Sequence, residues 1–528
     1  MLRPRTPMRR FTTSLAGLAV LATGLVTLGT ATGAEASTLG TCSTGTVSPP
    51  AGVSAPAIPV TTCTGTSAVN GAWVVEEPYG YADPTSPSQP ASRTLLLWSH
   101  GFRAASDTDH AAADYPQGSI PGYADVTHYA LLAQGYALAG SAYGSNGWAV
   151  NDGVRADTEL LTTIAPAELS VAPAHVYAWG ESLGGLITQM LAQRHPALVD
   201  GSLPECGVLA GSVAIADKFL DAEAAAKVFF DPSLRLRGYS SDAAATQQFT
   251  NVENAVESGL STPSTQAATL ARLIGIDILL GLPLKTFAFN DQHSQASLAN
   301  AAAESFLTQV GYGIQGERDV VARSGGLPVT NIGIDYRSLA TAGAKQQFAS
   351  YGLSPDLLTA YARTLQTYAP RVHDSAKARR AFAGMGVPTG ALHVPTLTMH
   401  TEDDPLVVVQ HETVFAQKVA AHHDSGRLQQ IFIAPPGGSA WGLNASTPAA
   451  AGEVPAYYGA GHCNFSPAQQ IAAVDSLDGW ARSGDRPSVE SIADLTGEVA
   501  AAMPGLPGTP GAAVDPAYVE QAWPRPSL

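Results

Sequence analysis

The chain is short of charge, of cysteine and of long apolar runs. Only 14% of its 528 residues are charged, and 28 Lys and Arg stand against 44 Asp and Glu, for a net charge of −16. This acidic balance argues against a nucleic-acid binder, which must neutralise phosphates, and against a protein that docks on anionic lipid through a basic patch. The four cysteines include no C-x-x-C pair, which argues against a thiolate zinc site. Past residue 36 no stretch is apolar and uncharged for long enough to span a bilayer. The nearest, 270–289, carries Arg272, Asp277 and Lys285. What is abundant is apolar material, at 45%, which excludes a disordered chain. Gly and Pro, 52 and 37 residues, follow no three-residue period, so a collagen-like chain is excluded too.

Residues 1–36 read as a signal peptide: Arg3, Arg5, Arg9 and Arg10, an apolar stretch from Leu15 to Leu28, then Ala34-Glu35-Ala36 with small residues at the cleavage positions. Phe11 directly follows the arginine pair and no Leu-Lys comes after it, which favours the general secretory route over the twin-arginine one. Export puts Cys42, Cys63, Cys206 and Cys463 in an oxidising compartment, where an even count reads as disulfides. Four cysteines allow three pairings and sequence alone selects none; Cys42–Cys63 and Cys206–Cys463 is the expectation.

Residues 37–70, rich in Ser, Thr, Pro and Gly, read as a loop-like leader. From 71 to 210 short apolar runs alternate with helical patterns. Thr94-Leu95-Leu96-Leu97-Trp98 has the unbroken apolarity of a strand buried on both faces. His175-Val176-Tyr177-Ala178-Trp179 is a strand and Leu183 to Arg194 a helix, and Asp157 is read as a helix cap. Residues 211–390 are Ala-rich and helical, without a strand signal. The alternation returns over 391–483, with a strand at 394–400, and 484–528 is a Pro/Gly-rich tail, loosely packed beyond Pro504. This is an α/β class chain, a mostly parallel sheet flanked by helices and interrupted by a large helical insertion.

Gly180-Glu181-Ser182-Leu183-Gly184-Gly185 lies between a predicted strand and a predicted helix, the context a G-x-S-x-G nucleophile turn requires. A serine hydroxyl needs a base, and the base an orienting acid, in the chain order Ser, Asp, His. The resumed strand ends in His400-Thr401-Glu402-Asp403-Asp404-Pro405, which offers Asp404, with Asp403 as the neighbour left open. Of thirteen histidines, His462 in the small-residue loop Gly459-Ala460-Gly461-His462 falls between the last strand and the last helix, where an imidazole reaches back to Ser182. His100, His128 and His195 fit the order poorly, and His422 and His423 follow a helix in a polar turn. The Leu183 amide, and one from Ser99-His100-Gly101-Phe102, are the expected oxyanion donors, with Phe102 chosen over Gly101.

On these motifs residues 72–210 and 390–483 resemble the α/β-hydrolase family, and the insertion lies where that family carries its lid. The resemblance implies Ser182 as nucleophile, Asp404 as acid, His462 as base, and Phe102 and Leu183 as oxyanion donors, in the manner of secreted bacterial esterases and lipases. The His462-Cys463 dipeptide is similar to that of tannases and feruloyl esterases, in which a disulfide ties the cysteine after the histidine to one before the serine. Here Glu181 stands before Ser182 instead, and Cys206 is placed to do a related job by pinning the His462 loop.

The expected activity is hydrolysis of a small-molecule or polymeric carboxylic ester, without cofactor or metal, by an exported chain with no stable membrane anchor. Oligomeric state is not legible. A serine exopeptidase and a non-catalytic binding protein of the same fold are the alternatives. Tyr143, Trp148 and Trp441 are expected on the catalytic edge, lining a pocket or simply packing. The apolar run with Leu270, Ile274, Ile276, Ile278, Leu279, Leu280, Leu282 and Leu284 either receives an acyl chain, meets a lipid or polymer surface, or packs within its own domain.

Overall fold

The structure is a computed structural model. It describes residues 39–50, 55–83, 91, 93–105, 124–286, 294–435, 459–502, 513–519 and 521–523. The signal-peptide reading of 1–36 and the expectation for Trp441 fall outside these residues.

Ten strands form one sheet: β1 Thr41–Val47, β2 Ile58–Ser67, β3 Gly71–Pro78, β4 Thr94–Ser99, β5 Ala137–Ser141, β6 His175–Glu181, β7 Gly201–Glu205, β8 Thr396–Thr401, β9 Leu428–Ala434 and β10 Ala513–Val514. Their order is β1-β2-β3-β5-β4-β6-β7-β8-β9-β10. The six strands from β5 to β9 run parallel, and the flanking pairs are antiparallel.

The sequence pattern explains the layering. Side chains alternate across a strand, so an unbroken apolar run must be covered on both faces. In β4, Leu95 and Leu97 enter one core with Leu186, Ile187 and Leu191 of the helix Leu183–Arg194. Leu96 and Trp98 enter the opposite core with Leu477 and Trp480 of the helix Pro467–Ser483. Each fully buried Leu contributes about 1.5–3 kcal/mol. Trp98 meets Trp179 of β6 edge-on, with ring centroids 4.8 Å apart.

Between β7 and β8 the described residues form seven α-helices, from Ser212–Phe229 to Ala376–Met385, with a core of their own. The helix Gln266–Leu280 and the turn after it supply Ile274, Ile276, Ile278, Leu279, Leu280, Leu282 and Leu284 to that core, all buried, with Leu270 half-buried against it. The run therefore packs within the insertion and offers no apolar face to a surface.

Two loop expectations are corrected. The 37–70 segment contains β1 and β2, which add antiparallel strands to β3. Its Thr-rich stretches suit exposed edge strands, and Cys42 and Cys63 face each other across the ladder in a disulfide. The 484–528 tail holds the helix Val489–Ala502, whose Ile492 is buried beside Trp480, and β10, which pairs with β9. Trp523 then packs edge-on against His411, centroids 4.9 Å apart.

The Cys42–Cys63 link closes a separation of 21 residues, which removes about 3 kcal/mol of unfolded-state entropy in the chain-entropy account. Replacing both with Ser is expected to speed hydrogen exchange of the β1–β2 amides on the order of a hundredfold while leaving β4–β8 unchanged, as mass-spectrometric exchange would read.

Candidate active site

The site begins where β6 ends. Ser182 has φ 60° and ψ −120°, a positive φ that is costly for a residue with a side chain. Its amide donates to Glu205 O of β7 at 2.9 Å, and its carbonyl accepts from Leu186 N at 3.2 Å. The turn is held by what its neighbours lack. A Cβ on Gly184 would overlap the Ser99 carbonyl oxygen, one on Gly180 would lie 2.5 Å from that same oxygen, and one on Gly185 would lie 2.9 Å from Glu205 O. Only glycine lets the chain pass this close to β4 and β7. Leu183 opens the helix whose N-terminus lies beneath the serine.

His462 comes from the loop before the helix Pro467–Ser483. Its Nε2 is 2.8 Å from Ser182 Oγ, and its Nδ1 is 2.7 Å from Asp404 Oδ2. Asp404, fully buried, follows β8, and its Oδ1 accepts from Leu406 N at 2.8 Å and Val407 N at 2.9 Å. Burial alone would raise its pKa, but the charges and hydrogen bonds of His462 and His400 more than offset this and hold it at about 2. Of the two adjacent acids, it is Asp404 that meets His462. Asp403 is bridged to Ala460, and its carbonyl accepts from Gly461 N at 3.1 Å. Thr401 Oγ1 donates to Gly461 O at 2.7 Å, so the acid loop and the histidine loop are stitched together. Cys206, at the end of β7, is disulfide-bonded to Cys463, which fixes the histidine loop from the other side.

The loop after β4 lies against the serine: a Cβ on Gly101 would be 3.4 Å from Ser182 Cβ. Phe102 is the next residue along. Tyr143 does not face open space; it is buried beneath this loop, its ring stacked on His100 with centroids 3.9 Å apart and its hydroxyl donating to His100 O at 3.1 Å. Ser99 Oγ donates to Asp157 Oδ2 at 2.8 Å. Asp157 was expected as a cap; it instead lies inside the helix Val150–Glu159, fully buried, and burial raises its pKa to about 7 against the pull of the Ser99 hydroxyl.

A cavity opens from Phe102. It is lined by Trp148, Phe219, Tyr312 and Phe382, with Glu223 and Arg237 among its few polar groups. Trp148 is held by its indole N–H, which donates to Ser212 Oγ at 2.8 Å. Burial, and then the nearby Asp404 carboxylate, push the Tyr312 phenol up to about 12, which puts the cavity wall next to the acid.

The parallel sheet and a strained serine at the β6 turn, with acid and histidine supplied after β8 and β9, decide the fold. The chain has an α/β-hydrolase-type fold. Residues 75–336 match the model of a family described as a tannase-like family of unknown function (DUF6351). No curated protein matches the sequence. Among solved structures, the chain is similar to feruloyl esterase B from Aspergillus oryzae, at 14% identity over 85% of this chain and 87% of that one, with a TM-score of 0.37. It is similar to the rice cell wall degrading esterase LipA from Xanthomonas oryzae, at 14% identity over 71% and 82%, with a TM-score of 0.28. With such TM-scores these likenesses carry no argument of their own; the fold follows from the strand order and the turn.

Sequence reasoning missed the groups behind the acid. His400 and Glu412, both fully buried, lie 3.1 Å apart, Nδ1 to Oε1. The signal was present as a histidine inside a buried strand, four residues before the acid.

Gly184→Ala is expected to destabilise the protein by about 3 kcal/mol or more, because the new methyl meets backbone that cannot turn aside. Gly479→Ala, at a helix position with nothing within 4 Å, should be neutral or stabilising by about 0.5–1 kcal/mol. Chemical denaturation of the two variants checks both.

Proposed function

We propose that the chain is an exported serine hydrolase that cleaves carboxylic esters through an acyl-enzyme. The observation that carries this reading is the hydrogen-bonded series from Asp404 through His462 to Ser182, set on a turn that lifts the hydroxyl off the sheet. In this reading His462 takes the Ser182 proton as Oγ attacks the ester carbonyl, and Asp404 holds the ring and stabilises the imidazolium. The tetrahedral oxyanion is met by the Leu183 and Phe102 amides. His462 then protonates the leaving alcohol, the acyl group remains on Ser182, and water attacks it by the same route. The match to a tannase-like family supports ester chemistry. Two disulfides suit export, and among the described residues no helix is long and apolar enough to cross a membrane.

The cavity beside Phe102 is assigned to one side of the ester. Its rings suit a bulky apolar group, and the helical insertion supplies Phe219 and Tyr312 as part of the wall that excludes water. An exopeptidase would need carboxylates open to a terminal ammonium. Glu223 and Glu317 both line the cavity, but Arg237 is paired with Glu223 at 2.5 Å, and its guanidinium repels an ammonium. This disfavours the peptidase reading.

Ser182→Ala is expected to cut turnover of p-nitrophenyl esters at least a thousandfold and to abolish labelling by a fluorophosphonate. Retained labelling, or activity on aminoacyl anilides but not esters, would overturn the reading. Phe219→Ala is expected to raise KM roughly tenfold for esters with a bulky apolar group and to leave acetate esters within about twofold, since one lost ring contact is worth about 1–3 kcal/mol. Steady-state kinetics on the two ester classes reads the difference.

A further inference from the structure

We infer that His400 is a positioning residue for Asp404: a buried imidazolium, itself held by Glu412, that fixes the acid's charge and direction from behind. The inference rests on the reading of Asp404 as the acid that serves His462 and Ser182.

The protonation follows from hydrogen-bond partners. His400 Nε2 is 2.6 Å from Val407 O, and a carbonyl only accepts, so Nε2 carries a hydrogen. Nδ1 is 3.1 Å from Glu412 Oε1. The other oxygen of Glu412 accepts from Thr398 Oγ1 at 2.7 Å and from Gln430 Nε2 at 2.6 Å. The ring thus lies between two buried carboxyl groups with no solvent to share its charge, and in this inference Nδ1 carries a hydrogen as well. With both ring nitrogens donating, the ring is a cation. Its side chain has no solvent contact, and its Nε2 is also 3.5 Å from Asp404 Oδ2. Burial opposes this charge, but the Asp404 and Glu412 carboxylates more than offset it and raise the pKa to about 10.

Val407 closes the device. Its amide donates to Asp404 Oδ1 while its carbonyl accepts from His400, so the short loop after the acid is drawn around the imidazolium. The other groups that face the cluster do not substitute for it. His411 is buried and pushed well below its usual value by burial and by the charges of His400 and Lys218, and its Nδ1 accepts from Ala210 N. Lys418 and Lys218 act on His411, and Tyr312 faces Asp404 as a neutral phenol. With His400 as the cation, Glu412, His400 and Asp404 sum to one negative charge, and counting the imidazolium formed when His462 takes the serine proton brings the four groups to zero. The cluster is thus balanced in the transition state.

Removing the cation has a signed consequence. The Asp404–His462 pair loses a nearby positive charge and takes its first proton at higher pH, whichever member carries it. His400→Gln alone strands two buried carboxylates and is expected to lower Tm sharply. The double variant H400Q/E412Q removes both charges and is expected to fold. In it kcat should fall tenfold or more with KM within about twofold, and the acidic limb of kcat/KM should move up by about one pH unit. Glu412→Gln, which keeps the imidazolium, should leave that limb within about 0.3 units of the wild type or below it. A folded double variant with the wild-type limb and turnover would overturn the inference. Histidine-selective NMR titration of His462 in the same variants needs no substrate. A wild-type protein inactive on every ester would sink the proposed function, and the titration would still decide the role of His400.

Discussion

The fold depends on one close approach, that of the Ser182 turn to the backbone of β4. The serine adopts a positive φ only because Gly180 and Gly184 have no side chains to strike the Ser99 carbonyl. That contact joins three things: the end of β6, the start of the helix Leu183–Arg194, and the loop that carries Gly101 and Phe102. A shift of β4 away from the turn would relieve the strain, and it would also carry the loop away from the serine. Strain and proximity are the same fact seen from two strands. Ser99 also binds the arrangement through Asp157, a buried acid in contact with the strand rather than with solvent.

The histidine and the acid arrive from farther along the chain, so their meeting depends on loop anchors. Cys206–Cys463 ties the histidine loop to β7, and the Asp403–Ala460 bridge ties it to the acid loop. The insertion is fastened to the same place. Gln309, on the helix Gln295–Ser324, donates to Pro405 O at 2.5 Å and Leu406 O at 2.9 Å, directly after Asp404. Asp319, further along that helix, accepts from Trp148 N at 2.6 Å. One helix of the insertion is thus fastened both to the loop after Asp404 and to the backbone of Trp148 in the cavity wall.

What was legible in the sequence follows the strength of each local constraint. β4 and β6 stood out because strands covered on both faces must be apolar throughout, and the helix Leu183–Arg194 because a glycine turn must precede it. The set Ser182, Asp404 and His462 was legible because chain order and strand ends leave few candidates. The edges were not. β1 and β2 are exposed strands built of Thr, Ser and Gly, with no apolar alternation to mark them, and β10 is two residues long. Asp157 looked like a cap because an acid beside a helical run usually is one; its burial depends on β4, which no local pattern encodes. Tyr143 was placed on the correct edge of the sheet, yet it lies beneath the loop it was expected to flank, because its positive φ turns it inward onto His100.

The charge pattern around Asp404 extends this reasoning to chemistry. A buried carboxylate is costly unless donors surround it, and Asp404 has two backbone amides and two imidazoles around it. In the proposed mechanism one imidazole changes charge during turnover, so the acid's ionisation cannot rest on that ring alone. On the proposed role of His400, a second cation removes the conflict: it helps keep the carboxylate charged whatever the state of the ring that faces the serine. The cost is another buried charge, and Glu412 with its Thr398 and Gln430 donors offsets it. The depth of polar groups behind the serine is therefore what a dry, acid-supported base requires.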